Sequence, residues 1–442
     1  MAIHVADAGI DIRYTPKVSR TFAWIVFALT FGLLLSDYMS RQVLNAVFPV
    51  LKAEWGLSDT QLGSLNSIVS LLVGLLTFPL SLLADRWGRV RSIVLMAALW
   101  SLATAACAVA ETYGQMFAAR FFVGVGEAAY GSVGIAVIIA VFPPHLRSTL
   151  SGAFLAGGAF GSVLGMALGG IIAAQFGWRW AFGAMALFGM ALTILYALVV
   201  TEKRLNPDGI ATSPARAGNS VGGKSFRSLR GLLTGLFSSV SVCCAYVGSG
   251  LQLFMMGSMM AWLPSFVNRY YELPTDKAGL VAAVFVLAGA IGMTGCGIIT
   301  DRLSRNFATR KWSVAIAYSL LSSVCLIVGF HLPTGMAQLA VLAVGMFFVA
   351  GTTGPVGAMV ANLTHPSIHA TAFATWSLAN NLLGMAPGPF LTGSLADRIG
   401  LIGALQWMPL AGLAAAAVFA LGRRSYAGDL QRIHALQAAE KN

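Results

Sequence analysis

Charge is what this chain lacks. Asp, Glu, Lys and Arg make up 10% of its 442 residues, against about 25% in a soluble globular domain. That scarcity excludes a soluble enzyme or a free binding module. Cysteine is sparse and unpatterned: Cys107, Cys243, Cys244, Cys296 and Cys325 all fall in apolar segments, with no CxxC or framework spacing. A disulfide scaffold or a redox centre is therefore not expected. His331, His365 and His369 show no metal-ligand spacing, and no metal or other cofactor is expected. No cleavable signal pattern is visible, since the first 20 residues are mixed polar and the first apolar run is too long for a signal core. No phosphate-binding loop or His/Asp/Cys constellation speaks for a membrane enzyme. The excess of basic residues reports topology, so no nucleic-acid partner is expected.

What is present is apolar length. The chain is 57% hydrophobic and carries 49 glycines, and runs of about 20 apolar residues recur along it, the length needed to cross a bilayer core. The pattern predicts an all-α membrane protein of twelve spans, near 22–48, 61–83, 92–110, 115–142, 149–174, 178–200, 233–262, 277–300, 312–331, 335–363, 369–396 and 400–421. Gly and Pro inside these runs are tolerated in membrane helices. The polar interval 201–232 reads as a flexible linker between six-helix halves 22–200 and 233–421. Tails 1–21 and 422–442 flank them. With the N-terminus in the cytoplasm, inside segments hold 21 Lys and Arg and outside loops five, namely Lys52, Arg179, Arg269, Lys277 and Arg398. The positive-inside rule then puts both termini in the cytoplasm.

The halves repeat each other. Pro49 to Asp85 matches Pro264 to Asp301, while Gly161, Gly165, Gly170 and Gly177 match Gly384, Gly388, Gly393 and Gly400 at a constant offset of 223. Duplication of a six-span unit marks secondary transporters whose site lies between the halves, near the midplane.

The loop after span 2, SLLADRWGRVR, and its counterpart after span 8, GIITDRLSR, each place an Asp beside an Arg at a helix end. Such a group can pair with a neighbouring helix and latch the cytoplasmic side, so Asp85, Arg86, Arg89, Asp301 and Arg302 are gating candidates. The two segments resemble the signature G-x-x-x-D-R-x-G-R-R of the major facilitator superfamily, with Ser81 and Ser304 as departures. Span 5 resembles the glycine-rich span 5 of that superfamily, with small residues that permit tight packing on a partner.

Of the 44 acidic and basic residues, 40 lie in tails, loops or helix ends. The four inside spans are Asp37 and Arg41 in span 1, and Arg120 and Glu127 in span 4. Each would cost on the order of 3 kcal/mol if it faced lipid unpaired. The spacings i, i+4 and i, i+7 give each pair one helix face, which is consistent with a single cluster. Desolvation favours the neutral form of a membrane carboxylate and an adjacent arginine favours the ionised form. Glu127 is thus a candidate proton carrier that toggles as Arg41 or Arg120 binds an anion, with Asp37 as a second. A static salt-bridge network is the alternative.

DYMSRQVL in span 1 and RFFVGVGEAAYGS in span 4 resemble the spinster-like branch, matched at Arg120, Gly124, Gly126, Glu127 and Ala128. The resemblance implies a proton-sensing role for Glu127 and a substrate-anion role for Arg41. It also implies an amphipathic anion such as a lysolipid as substrate, or sugar and aromatic acids as in related symporters. Ser40 stands where members usually carry Asp, so a mechanism needing that acid requires Asp37, one turn earlier, to replace it. The candidate substrate wall comprises Arg41, Arg120 and Tyr130, and in the C-terminal half the uncharged Gln252, Trp376, Asn380 and Asn381. The expected protein is a monomeric, proton-coupled transporter in a bacterial inner membrane, surrounded by membrane lipids and working by alternating access. The alternative class is a membrane sensor that keeps the fold without transport.

Overall fold

The computed structural model describes residues 18–205, 236–237, 239–305, 307, 309–364 and 368–441; the predicted linker lies outside them from residue 206 onward, as do residues 1–17 of the amino-terminal tail. Among the described residues the chain is helical, without strands. The amino-terminal half comprises α1 (Arg20–Trp55), α2 (Asp59–Trp87), α3 (Arg89–Ala108), α4 (Tyr113–Glu127), α5 (Tyr130–Val141), α6 (Pro144–Phe176) and α7 (Trp178–Val199). The carboxy-terminal half comprises α8 (Val240–Tyr271), α9 (Thr275–Ser304), α10 (Arg310–His331), α11 (Met336–Ala350), α12 (Thr353–Leu363), α13 (His369–Asn380), a π-helical turn at Asn381–Met385, α14 (Pro387–Trp407) and α15 (Leu410–Lys441).

Ten helical runs are long and apolar enough to cross a membrane, and Thr371–Trp407 with Leu410–Ile433 qualify together as a bent pair. One residue within α14 is not helical: Gly400, at φ 80° and ψ 158°. Its repeat counterpart Gly177 separates α6 from α7 at φ 90° and ψ 157°. A positive φ of this kind is open to glycine and strained for residues with a Cβ. Gly400 therefore turns the chain between spans 11 and 12, and all twelve predicted spans are accounted for.

The repeat extends to the helix breaks. Span 4 is interrupted after Glu127 and resumes at Tyr130, while span 10 is interrupted after Ala350 and resumes at Thr353. Both helices that precede the breaks have 15 residues, and their limits differ by the same offset of 223. The span-10 break falls on Gly351 and Thr352, which are weak helix formers, but the span-4 break does not follow from local propensity, since Ala128 and Ala129 are good ones. The last helix runs past its predicted end near 421 and is held by Asp429, whose carboxylate accepts from the Ser239 and Ser241 hydroxyls at 2.8 and 2.6 Å at the start of α8.

Small residues of α6 pack against α1. A Cβ added to Gly165 would lie 2.6 Å from Met39 Cα, so the two backbones touch. Gly165→Leu should therefore destabilise the protein by about 1–3 kcal/mol through overpacking. A thermal melt in detergent reads this, and an unchanged midpoint would contradict so close an approach.

The apolar core has an uneven layout. One buried cluster joins the halves, including Met39, Val47, Phe48 and Leu62 with Met259, Trp262, Phe266 and Leu405. Phe48 and Trp262 meet across it with ring centroids 5.5 Å apart. On the face that bears the first and last helix ends, two further clusters each stay within one half, around Trp100 and Tyr130 and around Trp312 and Tyr426. The halves thus close on the face away from the termini and separate toward the terminal face.

Candidate functional site

Three of the four span charges come together at the level where span 4 breaks. Arg41 Nε lies 2.7 Å from Glu127 Oε2 and 3.5 Å from Asp37 Oδ1. The helix periodicity of α1 puts Asp37 one turn from Arg41, and the end of α4 delivers Glu127 to the same guanidinium. The carboxylates are hidden, with side-chain exposures of 4% for Asp37 and 0% for Glu127, whereas Arg41 retains 18%. The arginine is therefore the most accessible member of the cluster. Tyr38 places its ring 5.2 Å from the same guanidinium, a cation–π contact that stabilises the cation without competing for its hydrogen bonds.

Arg120 does something different. It is fully buried, donating from Nε to Leu65 O at 3.3 Å and from Nη1 to Ser40 O at 3.2 Å. It ties α4 to the backbones of α1 and α2 and makes no ion pair among the described residues. Gly124 and Gly126 fix this approach, since Cβ atoms there would lie 3.0 Å from Val69 Cα on α2 and 2.7 Å from Trp100 N on α3. The space beside Glu127 that these glycines provide is filled by neighbouring helices. The Tyr130 hydroxyl donates to Thr30 O at 2.6 Å in the core of the same half, and the side chain has no exposed surface. Tyr130 thus has its hydroxyl engaged within the core, whereas Arg120 Nη2 is buried with no hydrogen-bond partner among the described residues.

The carboxy-terminal half supplies amides at a matching level. Gln252 occupies the repeat position of Asp37, by the offset of 215 that relates Pro49 to Pro264. It is fully buried, and both its amide oxygen and nitrogen find no hydrogen-bond partner among the described residues. Asn380 Oδ1 is likewise buried without one. Trp376 Nε1 donates to Ser249 Oγ at 2.9 Å, and Gln252 and Asn380 follow one turn further along the same two helices. Asn381 is turned aside, donating to Ser377 O at 2.9 Å, and its backbone oxygen closes the π-helical turn with Ala386 N. Turns of this kind frequently mark functional positions in helices.

Among the described side chains, the expected gating residues are not brought together. Arg86, Asp301 and Arg302 are exposed, and Arg89 Nη1 donates to Ala136 O at 3.2 Å within its own half. The Asp85 side chain lies outside the described residues. Among the described residues one ion pair crosses the halves, Arg269 with Asp59; it sits on the opposite face beside Lys52 of Asp59's own half, and sequence reasoning missed it by counting its members as loop charges. Arg269 Nη2 reaches Asp59 Oδ1 at 2.6 Å, and Lys52 Nζ reaches the same oxygen at 2.6 Å. A sequence signal marks a neighbour on that face: GSLADRIG at 393–400 is a third copy of G-x-x-x-D-R-x-G that keeps every named position, and its Asp397 accepts from Asp59 N across the halves.

Comparison with known proteins agrees with this architecture. The chain is 27% identical to the probable L-galactonate transporter of Escherichia coli over 410 residues, covering 89% of this chain and 87% of that protein. It is 26% identical to the bovine protein spinster homolog 1 over 409 residues, covering 88% and 75%. The crystal structure of a bacterial homologue of the human lysosomal transporter spinster, inward-facing and unoccupied, superposes with a TM-score of 0.81 at 18% identity over 93% of this chain and 99% of that one. The D-xylose-proton symporter superposes at 0.68 with 18% identity, over 91% and 97%. The family model of the Major Facilitator Superfamily matches residues 30–389. This chain, a multi-pass membrane transporter similar to the spinster branch, belongs to the Major Facilitator Superfamily.

Proposed function

We propose that the protein is a proton-coupled transporter of an organic anion, either small or amphipathic, in which Arg41 binds the anion and Glu127 carries the proton. The observation that carries this reading is the shared guanidinium: Arg41 is 2.7 Å from Glu127 and is the most exposed member of the cluster. A protonated Glu127 releases Arg41, and the freed cation attracts an anion. Proton and anion then favour each other's binding, because linkage is reciprocal. Asp37 keeps Arg41 in place during the exchange and stands in for the acid absent at Ser40.

The excess of basic residues on the terminal face supports a bacterial inner-membrane protein with both termini cytoplasmic, working as a single chain. In that orientation the conformation described above is open to the cytoplasm. Lipid-like cargo is supported by the likeness to spinster proteins. A second reading, symport of sugar or aromatic acids, is supported by the unpartnered amides of Gln252 and Asn380, which suit hydroxyl groups, and by the L-galactonate and hexuronate transporters among the relatives.

Reconstitution in liposomes holding a pH-sensitive dye tests the proposal against lysolipids, sugar acids and aromatic acids. Substrate-driven proton flux with one class is the expected result. Transport of a substrate with no accompanying proton movement would reject coupling, and no transport of any class would favour the sensor.

A further inference from the structure

The halves meet along two seams on the face away from the termini, α2 with α14 and α6 with α9. The repeat relates the seams residue by residue. Gly63 abuts Pro389 O and Gly393 abuts Asp59 O; their counterparts Gly279 and Gly170 abut Met166 O and Thr275 O, with an added Cβ at 2.7 and 2.8 Å. The offsets are 216 and 223 throughout, so the packing is pseudo-symmetric.

The polar chemistry breaks that symmetry. Asp397 Oδ1 accepts from Asp59 N at 2.7 Å, and Oδ2 accepts from Thr60 N at 2.8 Å and Thr60 Oγ1 at 2.6 Å. These are the first two amides of α2, which have no partner within their own helix. Ser58 serves the next two, its hydroxyl taking Gln61 N at 3.1 Å and its carbonyl Leu62 N at 3.1 Å. All four leading amides of α2 are thus satisfied, two of them by a carboxylate from the other half. Asp59, in turn, receives Arg269 from the other half at 2.6 and 2.9 Å. On the second seam the position of Asp397 is held by Ala174, and the first turn of α9 has no side-chain cap.

We propose that Asp397 is a releasable helix cap that latches one seam of the gate away from the termini, while the second seam closes by close packing alone. The anion at a helix start is stabilised by the positive end of the helix as well as by the amides. Opening this face withdraws Asp397 from α2 and Arg269 from Asp59 together, and all the exposed groups then meet water. The unlatched seam can part and re-form without such an exchange, so the latched seam of α2 and α14 sets how readily this face opens.

Distance measurements between spin labels at Glu111→Cys and Met336→Cys, exposed on opposite halves at this face, test the latch without substrate. They are therefore independent of the transport reading. Asp397→Asn should raise the ratio of open to closed molecules roughly tenfold, the loss of about one capping interaction. Arg269→Gln should shift it the same way and serves if Asp397→Asn fails to fold. Thr275→Ala on the second seam should leave it unchanged. An unaltered distance distribution in a folded Asp397→Asn or Arg269→Gln protein would overturn the latch, and an equal shift in Thr275→Ala would overturn its one-sidedness.

Discussion

Glu127→Gln is expected to bind the substrate anion with an affinity that no longer varies with pH, and to carry it without moving protons. In the wild type the ionised Glu127 competes with the anion for Arg41 at 2.7 Å. Lowering the pH neutralises the acid and frees the guanidinium, so affinity rises as pH falls. With one proton linked to one anion, the dependence reaches about tenfold per pH unit above the point where Glu127 ionises. The amide is permanently neutral and fixes the high-affinity form. Binding isotherms from pH 5 to 8 and dye-reported proton flux both read this. Persistent proton flux in Glu127→Gln would assign the proton to Asp37. In that case Asp37→Asn, which removes the i, i+4 acid, should abolish coupling.

Arg41→Gln should abolish transport and also weaken the fold. Removing one partner leaves the buried carboxylates of Asp37 and Glu127 without their cation, which costs about 3–5 kcal/mol for a buried pair. The double variant Arg41→Gln/Glu127→Gln should regain much of that stability while remaining inactive. The cycle separates the two roles, because a neighbouring pair is non-additive. Equal melting temperatures for the single and double variants would mean that the ion pair does not form in the membrane.

Much of this was legible in the sequence because hydropathy and charge act locally. Twelve apolar runs predict twelve spans, and four ionisable residues in those runs stand out by the expense of burying them. The i, i+4 spacing placed Asp37 and Arg41 on one face without further information. The contacts of Arg120 were not legible because its partners are the main-chain oxygens of Ser40 and Leu65, which every residue offers and no sequence marks. The contact of Tyr130 was hidden for the same reason, its hydroxyl going to a carbonyl of α1. The break after Glu127 falls on Ala128 and Ala129, which favour helix, so no local signal marks it. The Asp397 cap joins positions 338 and 337 residues apart, beyond the reach of any periodicity.

The ionisable residues of the spans all belong to one copy of the duplicated unit, and Gln252 holds the place of Asp37 in the other. Such a division separates two kinds of evolutionary change. On the proposed roles, substitutions around Gln252, Trp376 and Asn380 would alter what the protein recognises while leaving the charges of Asp37, Arg41 and Glu127 in place. A lineage would then exchange cargo by drift in its second half and inherit the charge cluster unchanged through the first. Chimaeras that join residues before the linker to the second half of a relative are the natural form in which that independence would express itself.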